Sequence, residues 1–124
     1  MSFSYTILPD RRLIIHKFSS KISADELKKA IALLQKANPG VSVLLAKVIP
    51  SRYQGWNEEL NALNPEMDSI AKAMTTKRSK IIVVDLHKGF DAEKDTFDGI
   101  HPNRTGAEKM AQKWFDGILK ILNQ

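Results

Sequence analysis

An aspartate three residues ahead of a histidine, Asp98-Gly99-Ile100-His101, is the stretch of this chain whose residue types and spacing spell out acid–base chemistry. The spacing lets a carboxylate hold one imidazole nitrogen and leave the other free to take a proton. Asp85, His87, Asp91 and Asp95 precede it, so several titratable groups gather in a short span. A plainer reading also fits: Asp98 caps a turn, and His101-Pro102-Asn103 leads into a helix. A metal reading finds no pattern, because no two histidines have i, i+4 spacing and no standard loop motif is present. The chain has no cysteine, which removes disulfides and thiolate-held zinc, haem or iron–sulfur sites. No metal and no cofactor are expected. His16 lies inside an apolar run and reads as a packed or half-exposed strand residue, not as a base.

The elements that must position the Asp/His pair follow from periodicity. Phe3, Tyr5 and Ile7 alternate with Ser4, Thr6 and Leu8 until Pro9-Asp10-Arg11-Arg12; Leu13 to Phe18 is a second β-rich run, and the two predict a hairpin. Ser23-Ala24-Asp25-Glu26 is a capping box, and Leu27, Ala30, Ile31, Leu34 and Ala37 keep helical spacing up to Asn38-Pro39-Gly40. Val41 to Ile49 predicts a strand buried on both faces. Ser51 to Trp56 reads as a loop, then a turn or two of helix over 57–62, with Asn64-Pro65 as a break or a new helix start. Met67, Ile70, Ala71 and Met74 are helical, and Lys80 to Leu86 is a further buried strand. A long polar loop runs from His87 to Pro102. Asn103 or Thr105 then caps a last helix whose stripe, Ala107, Met110, Ala111, Trp114, Phe115, Ile118, Leu119 and Leu122, is predicted buried.

The predicted class is therefore α/β, in the order ββαβαβα. Right-handed crossovers set strands two to four parallel, with strand one antiparallel, in one four-stranded sheet. The connecting helices then fall on one face and the last helix alone covers the other, leaving apolar surface that a homodimer would cover. In such sheets ligands bind beyond the carboxyl ends of the strands, where Asp85, His87, Asp98 and His101 gather.

At 124 residues the chain fits one domain. Hydrophobic content of 43% and charged content of 27% exclude the disordered and membrane classes. The net charge of +5 is spread along helix surfaces, and Lys77-Arg78-Ser79-Lys80 lies where a helix should end. Without interleaved aromatics this reads as solvated surface, so nucleic acid is not expected as a partner. The N-terminus has no 7–15-residue apolar core and no apolar run nears the roughly 20 residues of a membrane span, so no membrane is expected and the default location is cytoplasmic.

From about Leu27 to Leu122 the chain resembles the C-terminal part of the SGNH (GDSL-like) hydrolases, bacterial carbohydrate esterases in particular. The resemblance rests on Ala37-Asn38-Pro39-Gly40, Pro50, Trp56-Asn57, Ile81 to Asp85, and above all Asp98-Gly99-Ile100-His101-Pro102-Asn103 with Gly106, Met110-Ala111 and Trp114. It implies a flavodoxin-like three-layer fold and a catalytic triad in which Asp98 is the orienting acid and His101 the general base. The chain departs from the family in lacking, in place, the Gly-Asp-Ser nucleophile motif and the Gly-x-Asn-Asp motif, where Phe18-Ser19-Ser20-Lys21 stands instead. Gly55-Trp56-Asn57-Glu58 imitates the latter but follows the wrong strand. Ser19, Ser20 and Ser51 follow predicted strands without a nucleophile-elbow pattern. Residues 1–26 resemble the opening hairpin of STAS-like domains, which makes the whole look like a chimera, natural or engineered, or a truncated hydrolase.

Three functions stand beside one another. The first is a catalytically silent α/β domain with Asp98 and His101 as vestigial triad members. The second is an acyl or carbohydrate ester hydrolase with another serine. The third is a STAS-like binding module in which Ser51 is the regulatory position.

Overall fold

The computed structural model describes residues 3–7, 13–18 and 23–123, the first two stretches as backbone alone. The predicted hairpin is present: β1 (Phe3–Ile7) pairs antiparallel with β2 (Leu13–Phe18). Ser4 faces Lys17 and Tyr5 faces Ile15, so His16 has no register partner, the mark of a one-residue bulge. The side chain of His16 lies outside the described residues, as do those behind the STAS-like likeness.

Helix α1 (Ala24–Ala37) starts where Ser23 accepts a hydrogen bond from the Glu26 N–H at 3.2 Å, half of the predicted capping box. It ends at Asn38, whose Oδ1 accepts the Gly40 N–H. Strand β3 (Val43–Lys47) and strand β4 (Ile81–Asp85) pair in parallel, Leu45 opposite Val83. The chain is therefore α/β with a parallel β3–β4 pair, but one expectation is corrected: among the described residues β1–β2 and β3–β4 form two separate two-stranded ladders, not one of four strands. Neighbours in sequence pair through a short turn, whereas joining β2 to the parallel pair requires a register set across the α1 crossover.

Helix α2 (Gln54–Met74) runs unbroken through Pro65, where the sequence predicts a break or the start of a new helix. Proline removes one helical donor, but the residue before it is committed elsewhere. The buried Asn64 side chain accepts from the Val48 N–H at 2.9 Å and donates to the Val48 carbonyl at 3.1 Å, fastening the middle of α2 to the end of β3. Around it, Ile31, Leu45, Met67, Ile70, Ala71 and Ile81 form the core, joined by Val43 and Val83. These strand positions alternate, so α1 and α2 share one face of the β3–β4 ladder.

The predicted polar loop contains a one-turn helix, α3 (Ala92–Asp95). The last helix, α4 (Arg104–Leu122), begins at Asn103 as expected and lies on the opposite sheet face. Its buried side is another correction: Gly106 and Gly117 face inward, while Phe115, Ile118, Leu119 and Leu122 are exposed. A Cβ at Gly117 would lie 2.9 Å from a Val84 methyl and 3.4 Å from a Leu44 methyl, so the missing side chain lets the backbone settle directly on the sheet. One helix buries one stripe, and the glycine stripe wins because it permits that approach. No helix among the described residues is long and apolar enough to cross a membrane.

Candidate active site

The loop between β4 and α4 is tied down from several directions before it reaches Asp98. Lys113 Nζ donates to the carbonyls of Asp85 and Lys88, both at 2.7 Å. Asp85 Oδ1 accepts the N–H groups of His87 and Lys88, and Lys47 lies 3.9 Å from its other oxygen. Burial pushes the Asp85 carboxyl up, but the Lys88 N–H, Lys47, the His87 N–H and Lys113 together hold it below the usual aspartate value.

Asp95 is 1% exposed and forms the hub of the next turn. Its Oδ2 accepts from Lys109 Nζ at 2.7 Å and from the Asp91 N–H at 2.8 Å, while its Oδ1 is buried without a partner. The Lys109 bond and then the Asp91 N–H hold this carboxyl below its ordinary value. The Asp95 carbonyl accepts the Asn103 N–H at 2.8 Å, and Asn103 Nδ2 donates to the Lys94 carbonyl. Thr96 bridges Pro102 across the base of the loop, accepts the Gly99 N–H through Oγ1, and donates to the Ala92 carbonyl at 2.5 Å.

The dyad sits at the tip of this closed loop. Asp98 Oδ1 accepts the backbone N–H of His101 at 2.7 Å and of Ile100 at 2.9 Å, which locks the carboxylate. Its Oδ2 lies 2.5 Å from His101 Nδ1. Those contacts, led by the His101 N–H and then its ring, hold the Asp98 carboxyl far below the usual carboxylate range. An ionised Asp98 can only accept, so Nδ1 is the donor in this contact; in the neutral ring Nε2 is then the free acceptor, the tautomer a general base needs. Gly99 makes the turn at φ 90°, where its carbonyl accepts the Arg52 N–H and a Cβ would crowd Arg52 and Tyr53. The Phe97 ring stacks on the imidazole, centroids 5.9 Å apart. The His101 side chain is nevertheless 65% exposed.

The structure thus joins Asp98 to His101. Among the described residues no hydrogen bond or ion pair connects Asp85 or His87 to them, and no hydroxyl is bonded to the imidazole. Ser51 is buried: its Oγ accepts the Tyr53 N–H at 3.0 Å and lies 3.2 Å from the Tyr53 carbonyl, and its N–H donates to Asn57 Oδ1. Ser19 and Ser20 lie outside the described residues. Among the described residues no cluster of three metal-ligating side chains occurs. Sequence reasoning missed the Asp95–Lys109 pair, since fourteen residues and a change of element separate the partners and no spacing rule marks them.

Beyond the described dyad, the chain has recognisable relatives. It is 31% identical over 77% of its length to a multidomain esterase of Ruminococcus flavefaciens, covering 13% of that protein. It is 37% identical over 68% of its length to an acetylxylan esterase of Xylanibacter ruminicola, covering 18% of that protein. In structure, 82% of the chain superposes on 51% of a carbohydrate esterase family 3 protein from Talaromyces cellulolyticus, with a TM-score of 0.68 at 24% identity, a likeness of fold. The chain therefore spans less than a fifth of these curated relatives and about half of that solved structure. The sequence model of the GDSL-like lipase/acylhydrolases matches residues 13–114, from β2 into α4 and including both Asp98 and His101, and on that match the chain belongs to the GDSL-like lipase/acylhydrolase family.

Proposed function

We propose that this chain carries the acid–base part of an ester-hydrolase site and does not itself turn over esters. The observation that carries the proposal is the Asp98–His101 contact with Nδ1 engaged and the ring open to solvent. In ester hydrolysis such an imidazole takes the proton of the attacking hydroxyl at Nε2 and returns it to the departing alcohol, while the carboxylate stabilises the imidazolium. Among the described residues no hydroxyl is hydrogen-bonded to the imidazole, and a dyad without a positioned nucleophile and backbone donors for the oxyanion forgoes most of the rate in acyl transfer. Asp98 and His101 are then vestigial triad members in this chain. The names of the relatives point to acetylated carbohydrate as the ester class.

A second reading, a working acyl or carbohydrate ester hydrolase using Ser19 or Ser20, is favoured by the family membership itself. Hydrolysis of a chromogenic acetate ester separates the two. The expected rate is no greater than that of free imidazole at equal concentration. Saturable turnover that disappears in His101→Ala would overturn the proposal and establish the enzyme.

A further inference from the structure

Helix α4 turns its two glycines inward and leaves an apolar stripe on its outer side, where Phe115, Ile118, Leu119 and Leu122 are between 39% and 72% exposed. We propose that this outer side of α4 is the interface between two copies of this chain, their helices antiparallel about a two-fold axis. The inference makes no use of the ester-hydrolase reading, since Asp98 and His101 precede the opposite end of the helix.

Area is the first argument. The four side chains leave on the order of 350–400 Å² of apolar surface in one patch, the size at which a patch on a monomer is often functional. A homodimer interface is about 65% apolar, so that patch corresponds to about 550–600 Å² per copy and roughly 1,100–1,200 Å² in all, at the small end of specific interfaces. Symmetry is the second argument, and it selects the occupant. A two-fold contact requires a self-complementary surface, in which one residue meets a second and the second meets the first. Phe115 and Ile118 have the same spacing as Leu119 and Leu122. An axis passing between Ile118 and Leu119 therefore sets Phe115 against the partner's Leu122 and Ile118 against the partner's Leu119, each contact occurring twice. Charge decides the direction. Arg104 and Glu108, paired at 3.1 Å, continue the line of the stripe toward the start of α4. A parallel pair would set Glu108 level with the partner's Glu108, Arg104 with the partner's Arg104, and two negative dipole ends side by side. The antiparallel pair carries Arg104 and Glu108 past the partner's helix end at Leu122 and opposes the dipoles.

The test is the mass of the full chain, followed by light scattering and sedimentation as protein concentration rises. The parent should pass from monomer to dimer with a Kd of roughly 10⁻⁵–10⁻⁴ M, as suits a small interface, so that dilute unfolding experiments see the monomer. Phe115→Lys and Leu122→Glu each bring a charge onto the apolar seam and should weaken association by about tenfold or more. Both should keep the circular dichroism of the parent, because the two positions are exposed in the monomer. The register makes a sharper demand on a one-to-one mixture of these two variants. In the mixed dimer the new ammonium lies opposite the new carboxylate and one Phe115–Leu122 contact stays intact. The mixture should therefore associate about threefold or more tightly than either variant alone. A parent that stays monomeric up to about 10⁻³ M, a dimer that both variants keep, or a mixture no tighter than its components would overturn the proposal. So would a parent that remains monomeric and binds phosphatidylglycerol vesicles through Leu122, a result that assigns the stripe to a lipid surface instead.

Discussion

Gly106 shows how much of the candidate site depends on one absent side chain. It sits in the first turn of α4, its N–H donating to the Asn103 cap, and a Cβ there would strike the Asp95 carbonyl and crowd the Phe90 ring. That carbonyl holds the Asn103 N–H, so a shift would pull on the loop that ends in His101. Gly106→Ala should therefore destabilise by about 1–3 kcal/mol despite alanine's better helix propensity. Gly55, in the first turn of α2, has nothing within 4 Å of a built Cβ, and Gly55→Ala should stabilise by a few tenths of a kcal/mol up to about 1 kcal/mol. Urea unfolding of both variants checks the pair; equal effects would mean that the contact at Gly106 does not exist. Of the site, Asp98, His101 and the Asn103 cap were legible because their partners lie three residues away. Asp95 was not, since its meaning comes from Lys109 on another element.

Elements with local start and stop signals were the legible ones. Helix α1 has Ser23 at its start and Asn38 at its end, and β3 and β4 are short apolar runs whose centres are where the pattern put them. Helix α2 was misread because Pro65 is a local signal overruled by a distant one. Asn64 substitutes for a strand neighbour by satisfying both backbone groups of Val48, and the core residues Met67 and Ile70 lie on the far side of the proline. Asn64→Ala leaves a part-buried donor and acceptor without partners and should cost about 2–3 kcal/mol, within the range for orphaned polar groups. Asn61→Ala, at an exposed position on the same helix, should stay within about 0.5 kcal/mol of the parent. Chemical denaturation of the two measures the difference. If Asn64→Ala were as stable as Asn61→Ala, the continuity of α2 would need another cause.

Across the whole molecule, the layers are unequal. Helices α1 and α2 close one face of the parallel ladder around Ile70, which is fully buried, whereas the other face has α4 alone among the described residues. Periodicity found the apolar stripe of α4 but had no means to rank it against a second stripe made of glycines, because a glycine contributes nothing to a hydrophobic pattern and everything to how closely two backbones approach. The consequence is a chain in which Leu122 is 72% exposed and Phe115, Ile118 and Leu119 lie open beside it. A buried stripe and an exposed stripe respond oppositely to charge. Phe115→Lys and Leu122→Lys should each change the unfolding free energy by no more than about 0.5 kcal/mol, as exposed positions do. Ile70→Ala, which opens a cavity in the α1–α2 core, should cost about 2–5 kcal/mol. The three variants unfolded in urea beside the parent decide the matter: a loss of several kcal/mol in either lysine variant would mean that α4 turns its large side chains inward after all, and that the glycine face is not the one against the sheet.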